Sequence, residues 1–372
     1  MKLNILKKKL IEIIQTSKAI ILNKTSQYPN FVLDFENKVE KYFDVKHCLT
    51  FSNGTTAAKT AMIACGMKNG SKVAMSKLSF PSVITSALQL GAQIKFLNFD
   101  KNLQILDLNE KTLNDVDFII ITHAYGFPQN MKYIFDKLKD FKNIKIIEDI
   151  SHSQGGKFED KYLGTLGNAS FMSMQGSKAI SAGEGGLLLT NSTDVYEKSI
   201  IYSHINRKHF FKNTEYEKFS KLGLVGKGRA HPLGILSAHL ELKNLRERNE
   251  NLQTKYKKIY DILSSNKNVY LPKLDNFSDL GGFHYGLPFF SQNEEFLKKI
   301  SKISTIVKYN WPPLDEFEIF RDSNKFDDFL QNLNLSGDLK TYKDHRSQLH
   351  FIDLRWIINN SLNKIIKKFK TL

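Results

Sequence analysis

Ile146-Ile147-Glu148-Asp149-Ile150-Ser151-His152 is the stretch that decides the fold of this chain. A short apolar run, residues 143–149, ends there in two acids. It is one of a series. Residues 72–76 (KVAMS), 94–100 (IKFLNFD) and 117–123 (DFIIITH) are also short runs with apolar cores, several of them rich in β-branched residues. Helical stretches such as 56–66 and 81–91 lie between or before some of them. Short buried strands separated by helices predict an α/β fold with a mostly parallel central sheet covered on both faces. Ligands of such sheets sit beyond the carboxyl ends of the strands. Asp149 therefore stands where a ligand is expected, although an aspartate at a strand end serves equally well as a cap for the next helix.

Working outward, residues 185–190 (GGLLLT) read as a further strand entered through a glycine turn. A long helical zone spans 233–264, apolar at its start (LGILSAHLEL) and polar after that. The change places a domain boundary inside this helix. Residues 1–245 are expected to form the large domain, and 246–372 a smaller α+β domain with the Trp311-Pro312-Pro313 turn. The sequence shows no internal repeat and no low-complexity linker.

Composition narrows the function classes. The chain has 372 residues, 41% hydrophobic and 25% charged, which excludes wholesale disorder. Its two cysteines, Cys48 and Cys65, exclude a disulfide scaffold and suit a reducing compartment. Without a CxxC pair, no metal site is expected. The 54 Lys+Arg against 38 Asp+Glu give a net charge of +16. The lysines are scattered, which reads as a solvated surface. The other reading is a field that attracts anionic partners. Lys7-Lys8-Lys9 interrupts the apolar residues of the N-terminus, so a secretory leader is not expected. No run approaches the roughly 18 apolar residues of a membrane span. A cytoplasmic protein, with neither membrane nor nucleic acid as partner, is expected.

Three segments carry chemistry. Ser52-Asn53-Gly54-Thr55-Thr56-Ala57-Ala58 is a good helix start, with Thr55 or Thr56 as cap and N–H groups pointing outward. It reads as a phosphate cradle or as a plain capped helix. Glu148-Asp149 ends its strand as above, where the aspartate could pair with a protonated ring nitrogen. Ser170-Phe171-Met172-Ser173-Met174-Gln175-Gly176-Ser177-Lys178 precedes Gly183-Glu184-Gly185-Gly186. Lys178 sits among small residues, a setting that can desolvate an amine into a nucleophile. Taken alone it reads as one more surface lysine. Together, a phosphate cradle, an acidic strand end and a lysine with Ser173 nearby are what pyridoxal phosphate requires.

The chain resembles the DegT/DnrJ/StrS (sugar) aminotransferases, pyridoxal-phosphate enzymes of the aspartate-aminotransferase-like fold type I. The resemblance covers most of the chain and is strongest from about residue 30 to 250. The most specific matches are residues 148–156 (EDISHSQGG) and 183–186 (GEGG). Residues 35–43 (FENKVEKYF), Asn69-Gly70-Ser71-Lys72-Val73, Ser79-Phe80, Leu90-Gly91-Ala92 and His123-Ala124-Tyr125-Gly126 also fit their expected places.

The resemblance implies roles residue by residue. Lys178 attaches the cofactor and then moves the proton between Cα and C4′. Asp149 pairs with the pyridinium nitrogen, Phe80 stacks on one ring face, and His152 lies beside the ring near its 3-hydroxyl. Gly54, Thr55, Thr56 and Ser173 hold the phosphate. Lys227, in Lys227-Gly228-Arg229, reaches the cofactor of the neighbouring subunit, which implies a homodimer with shared active sites. The sequence departs from the family at Gly228, where an aromatic residue is usual, at Ala230-His231-Pro232-Leu233, and in 25–33, which lacks a glycine-rich start.

The implied activity is transfer of an amino group from L-glutamate or L-glutamine to an anionic keto acceptor. Pyridoxal 5′-phosphate is the cofactor, with pyridoxamine phosphate as the intermediate. The acceptor is a nucleotide-linked keto-sugar, or a smaller phosphorylated ketone such as dihydroxyacetone phosphate. Either product suits a cell-surface polysaccharide such as a capsule. Two rivals are a pyridoxamine-dependent dehydratase, which typically lacks the lysine, and a non-catalytic regulator that keeps the fold.

Overall fold

The computed structural model describes residues 30–204, 207, 214–219, 227–273, 278–308 and 347–372, with Leu10 and Ile14. Lys7-Lys8-Lys9, residues 25–29 and the Trp311-Pro312-Pro313 turn lie outside the described residues. The described strands run β1 (His47–Phe51), β2 (Lys72–Ser76), β3 (Gln93–Leu97), β4 (Phe118–Thr122), β5 (Lys145–Asp149), β6 (Lys157–Phe158), β7 (Lys161–Tyr162), β8 (Ala169–Ser173), β9 (Gly186–Thr190), β10 (Ser278–Asp279), β11 (Gly286–Phe290), β12 (Ile306–Lys308) and β13 (Leu349–Asp353).

The chain forms two units. One contains Met1–Gly66 and Gly164–Leu245, the other Met67–Leu163 and Arg246–Leu372. These units differ from a linear division into 1–245 and 246–372. The reason is a hydrophobic core in the second unit that joins residues such as Leu78, Phe99 and Tyr125 to Tyr256, Phe289 and Phe351. Helix Pro232–Leu263 continues through the last crossing, at 245/246.

In the first unit the strand order is β1-β9-β8, with both pairs antiparallel. Helix Asn30–Phe43 buries Val32, Phe35, Val39 and Phe43. Their spacing of three and four puts them on one helix face. Glu36 shares that face and is buried with them. Helix Gly54–Ala64 buries Ala57, Ala58, Ala61 and Ala64, small side chains that allow close packing.

In the second unit β3-β2-β4-β5 form the parallel sheet that the sequence predicts. Every residue of β4 (FIIIT) is buried, as expected of a strand covered on both faces. The same unit carries the antiparallel sheets β10-β6-β7 and β11-β13-β12. Among the described residues, no helix is long and apolar enough to cross a membrane.

Candidate active site

In the first unit, β1 delivers the chain to Ser52-Asn53-Gly54. Asn53 is the N-cap of helix Gly54–Ala64. Its Oδ1 accepts the Thr56 N–H at 2.8 Å and the Thr56 hydroxyl at 3.0 Å. The cap is therefore Asn53, not Thr55 or Thr56. An asparagine three residues before Thr56 can reach the orphan N–H of the third helical position. The N–H groups of Gly54 and Thr55 are left with no acceptor among the described residues. A helix start of this kind attracts an anion through those N–H groups and the helix dipole.

Ser173 ends β8 and pairs with Gly186 across the β8–β9 ladder. A Cβ placed on Gly54 would lie 2.7 Å from the Ser173 Cβ. The fold thus brings these two predicted phosphate residues together. The Ser173 Oγ accepts the Gln175 N–H at 3.2 Å. Lys178 follows in a tight turn, half-buried, its N–H donated to the Gln175 carbonyl at 2.8 Å. The turn is closed by the Ala182 N–H on the Met174 carbonyl and the Met174 N–H on the Gly185 carbonyl, both at 2.8 Å.

The segment of Lys227 lies against the same loop. The Gly228 carbonyl accepts the Ser52 N–H at 2.7 Å, and its N–H is donated to the Ser203 carbonyl at 3.1 Å. A Cβ on Gly228 would lie 3.2 Å from side-chain atoms of Phe51, Ser203 and Thr56. No bulkier residue fits there without a shift, which explains why glycine stands at a position where the resemblance leads one to expect an aromatic. Lys227 itself is exposed.

A buried polar group backs this loop. Arg207 donates to both carboxyl oxygens of Glu36, at 2.8 and 2.9 Å, and one of those oxygens accepts the Thr50 N–H and hydroxyl, both at 2.8 Å. His204 Nε2 donates to the Thr50 carbonyl at 2.8 Å. Burial, and then the Arg207 guanidinium, push the His204 ring well below the usual histidine range. A neutral ring can serve as donor to Thr50 without adding a buried charge. Burial also pushes the Cys48 thiol well up, so this cysteine is inert.

In the second unit, Asp149 ends β5 and is buried. Its Oδ1 accepts the Ser151 N–H at 2.9 Å within a turn. No helix starts directly after β5, so Asp149 is not the helix cap that its strand-end position also allowed. His152 is buried among aromatic rings. Tyr125 is stacked on it with centroids 5.3 Å apart, and His284 packs at 4.5 Å. Phe80 flanks helix Pro81–Leu88 and is 42% exposed. The hydroxyl of Ser79, the residue before it, lies 2.7 Å from the Thr122 hydroxyl, and Thr122 is the β4 partner of Asp149. Phe80, Asp149 and His152 thus belong to one edge, at the carboxyl ends of β2, β4 and β5, where α/β sheets bind ligands. Sequence reasoning gave no role to Tyr125, His284, His123 or Glu148. Only the HAYG and EDISH motifs pointed toward three of them.

Among the described residues no group of three His, Cys, Asp or Glu side chains could hold a metal ion. The residues present fit the chemistry of pyridoxal phosphate. In the first unit, the helix start at Gly54 with Ser173 against it suits a phosphate, and the turn after Ser173 carries a lysine. In the second unit, taken by itself, a buried carboxylate ends a strand, as a protonated ring nitrogen requires.

Comparison with known proteins gives a consistent result. The family described as the DegT/DnrJ/EryC1/StrS aminotransferase family matches residues 9–332. The chain is 32% identical over 174 residues to GDP-perosamine synthase of Escherichia coli O157:H7, covering 46% of this chain and 48% of that protein. It spans about half the length of the curated GDP-perosamine synthases it matches. Among solved structures, a DegT DnrJ EryC1 StrS aminotransferase from Brucella abortus superposes with a TM-score of 0.79 at 19% identity, covering 100% of this chain and 96% of that one. A GDP-4-keto-6-deoxymannose-3-dehydratase with a trapped PLP-glutamate geminal diamine superposes with a TM-score of 0.75 at 17% identity, covering 98% and 97%. At these identities the two structures establish the fold type I architecture.

Proposed function

Because the chain belongs to the DegT/DnrJ/EryC1/StrS aminotransferase family, we propose that it is a pyridoxal-phosphate-dependent aminotransferase acting on a phosphorylated or nucleotide-linked keto substrate. The observation that carries this reading is the Lys178 turn. It follows Ser173 directly, and Ser173 lies against the helix start at Gly54. When bound, the cofactor acts as an electron sink that labilises the Cα proton of an amino acid.

The roles proposed for the chain follow from its chemistry. The N–H groups of Gly54 and Thr55 and the Ser173 hydroxyl bind the phosphate. The Thr56 hydroxyl is donated to Asn53, so Thr56 contributes less than its neighbours. Lys178 holds the cofactor covalently and moves the proton between Cα and C4′, so one amine serves both half-reactions. Asp149 holds the proton at the ring nitrogen. Phe80 packs on a ring face and His152 contacts the ring edge. Lys227, exposed beside the loop, adds positive charge for an anionic group. In this reading residues 1–245 are the cofactor domain and 246–372 the small domain of a cytoplasmic homodimer with shared sites.

L-glutamate or L-glutamine is the proposed donor. A keto-sugar nucleotide is the proposed acceptor, in keeping with the name of the E. coli relative. A small keto-phosphate is the second candidate, and a cell-surface polysaccharide the proposed destination. The dehydratase neighbour shows that one fold hosts either reaction. Lys178 favours transamination here.

The test is reductive trapping. The protein is incubated with pyridoxal phosphate, reduced with borohydride and digested. The account expects the adduct on the Lys178 peptide and none in Lys178→Ala, which also loses turnover. Full turnover by Lys178→Ala would sink the proposal.

A further inference from the structure

The carboxyl ends of β4 and β5 carry a second set of buried polar side chains. Glu148 and His123 are both fully buried, with His123 Nε2 3.1 Å from a Glu148 carboxyl oxygen. The other ring nitrogen, Nδ1, accepts the backbone N–H of Gln129 at 3.0 Å. A nitrogen that accepts carries no proton, so the ring proton sits on Nε2 and is donated to Glu148. The Gln129 side chain is itself fixed. It accepts the Ile105 N–H at 2.8 Å and donates to the Leu103 carbonyl at 2.6 Å and the Thr122 carbonyl at 3.3 Å. From below, the Ser153 hydroxyl donates to the His123 carbonyl at 2.5 Å.

His123 touches both residues of the strand end. Its ring holds Glu148, and its backbone N–H is donated to the Asp149 carbonyl at 3.1 Å. Consecutive side chains of a strand point to opposite faces. Tethering Glu148 on one face therefore sets the rotation of the strand end, and with it the direction in which Asp149 leaves the other face. Stability alone gives no reason for this arrangement, because buried polar pairs are often replaceable by apolar ones without loss. A fully connected buried network does fix one geometry.

We propose that His123 and Glu148 are positioning residues that aim the Asp149 carboxylate at the ring nitrogen of the cofactor. The proposal rests on the reading of Asp149 above. It is tested by binding, with two probes: pyridoxal phosphate and its analogue in which carbon replaces the ring nitrogen. Dissociation constants are measured by protein fluorescence on the full chain, with the melting temperature of each variant as a check on folding.

Wild type is expected to prefer pyridoxal phosphate by about tenfold, the worth of a charge-assisted hydrogen bond. His123→Phe and Glu148→Ala are expected to lose most of that preference while binding the carbon analogue as wild type does. Glu148→Gln keeps the preference, because its amide oxygen still accepts the Nε2 proton. An undiminished preference in folded His123→Phe or Glu148→Ala overturns the proposal. If neither folds, Ser153→Ala decides: a roughly threefold smaller preference supports the proposal, and an unchanged one overturns it. No preference in wild type would remove the Asp149 reading itself, and the proposal with it.

Discussion

Gly54 stands so close to Ser173 that a Cβ on the glycine would lie 2.7 Å from the serine Cβ and 2.9 Å from its Cα. The neighbour atoms belong to a strand end and cannot swing aside as a flexible side chain would. Gly54→Ala should therefore push the helix start away from β8 and open the cradle. Overpacking of this kind costs about 1–3 kcal/mol. If that strain falls on the phosphate site, the affinity for pyridoxal phosphate drops by about tenfold or more. Equilibrium dialysis of the variant measures it, and wild-type affinity would show that this contact is not part of the phosphate site.

The Arg207–Glu36 pair makes a stability prediction. Both side chains are buried, and the guanidinium makes two parallel bonds to the carboxylate. Removing one partner leaves the other charge buried and unpaired, at a cost of about 3–5 kcal/mol. Urea unfolding of Arg207→Met should show that loss. The double variant with Glu36→Gln should recover part of it, since the amide oxygen still accepts the Thr50 N–H without burying a charge. A double variant no better than Arg207→Met would contradict this account.

A pH dependence follows from His204, whose folded state resists protonation because of burial and the nearby Arg207. The unfolded ring titrates near the ordinary value of about 6.5. Above that pH neither state holds the proton, and the full stability is present. As the pH falls toward the depressed folded value, the unfolded state binds the proton first and stability is lost. The slope approaches about 1.4 kcal/mol per pH unit for one proton. The stability advantage of wild type over His204→Gln should therefore shrink between pH 7.5 and 5.5. Parallel unfolding curves for the two proteins across that range would refute it.

Gly228→Tyr restores the aromatic residue expected from the family resemblance. With side-chain atoms of Phe51, Ser203 and Thr56 at 3.2 Å from a Cβ, it should displace the Lys227 segment from Ser52. The expected result is weaker binding of pyridoxal phosphate together with a lower melting temperature. Unchanged binding would mean that this segment does not support the cradle.

The parallel strands were legible because strands buried on both faces are near-continuous apolar runs, as in Phe118–Thr122. β1 and β8 were not. Their sequences, HCLTF and ASFMS, mix small and polar residues, and both pair antiparallel with β9, β1 from far away in sequence and β8 across the Lys178 loop. The cap was misread because Asn53, Thr55 and Thr56 all suit a helix start, and only the backbone geometry selects Asn53. Asp149 and Lys178 stood out by chemistry and motif. The contact of Gly54 with Ser173 and the clamp of His123 on Glu148 depend on strand order and register, for which one sequence carries no direct signal. Ile121 and Thr122 must lie opposite Glu148 and Asp149 before His123 can reach them.

The most direct test of the central claim is the absorbance spectrum of the purified protein with pyridoxal phosphate, before and after L-glutamate. The account predicts a visible band from the lysine-bound cofactor that gives way to the band of pyridoxamine phosphate and returns when a suitable keto acceptor is added. A protein that forms no such band with pyridoxal phosphate would contradict the assignment of Lys178 and of the activity.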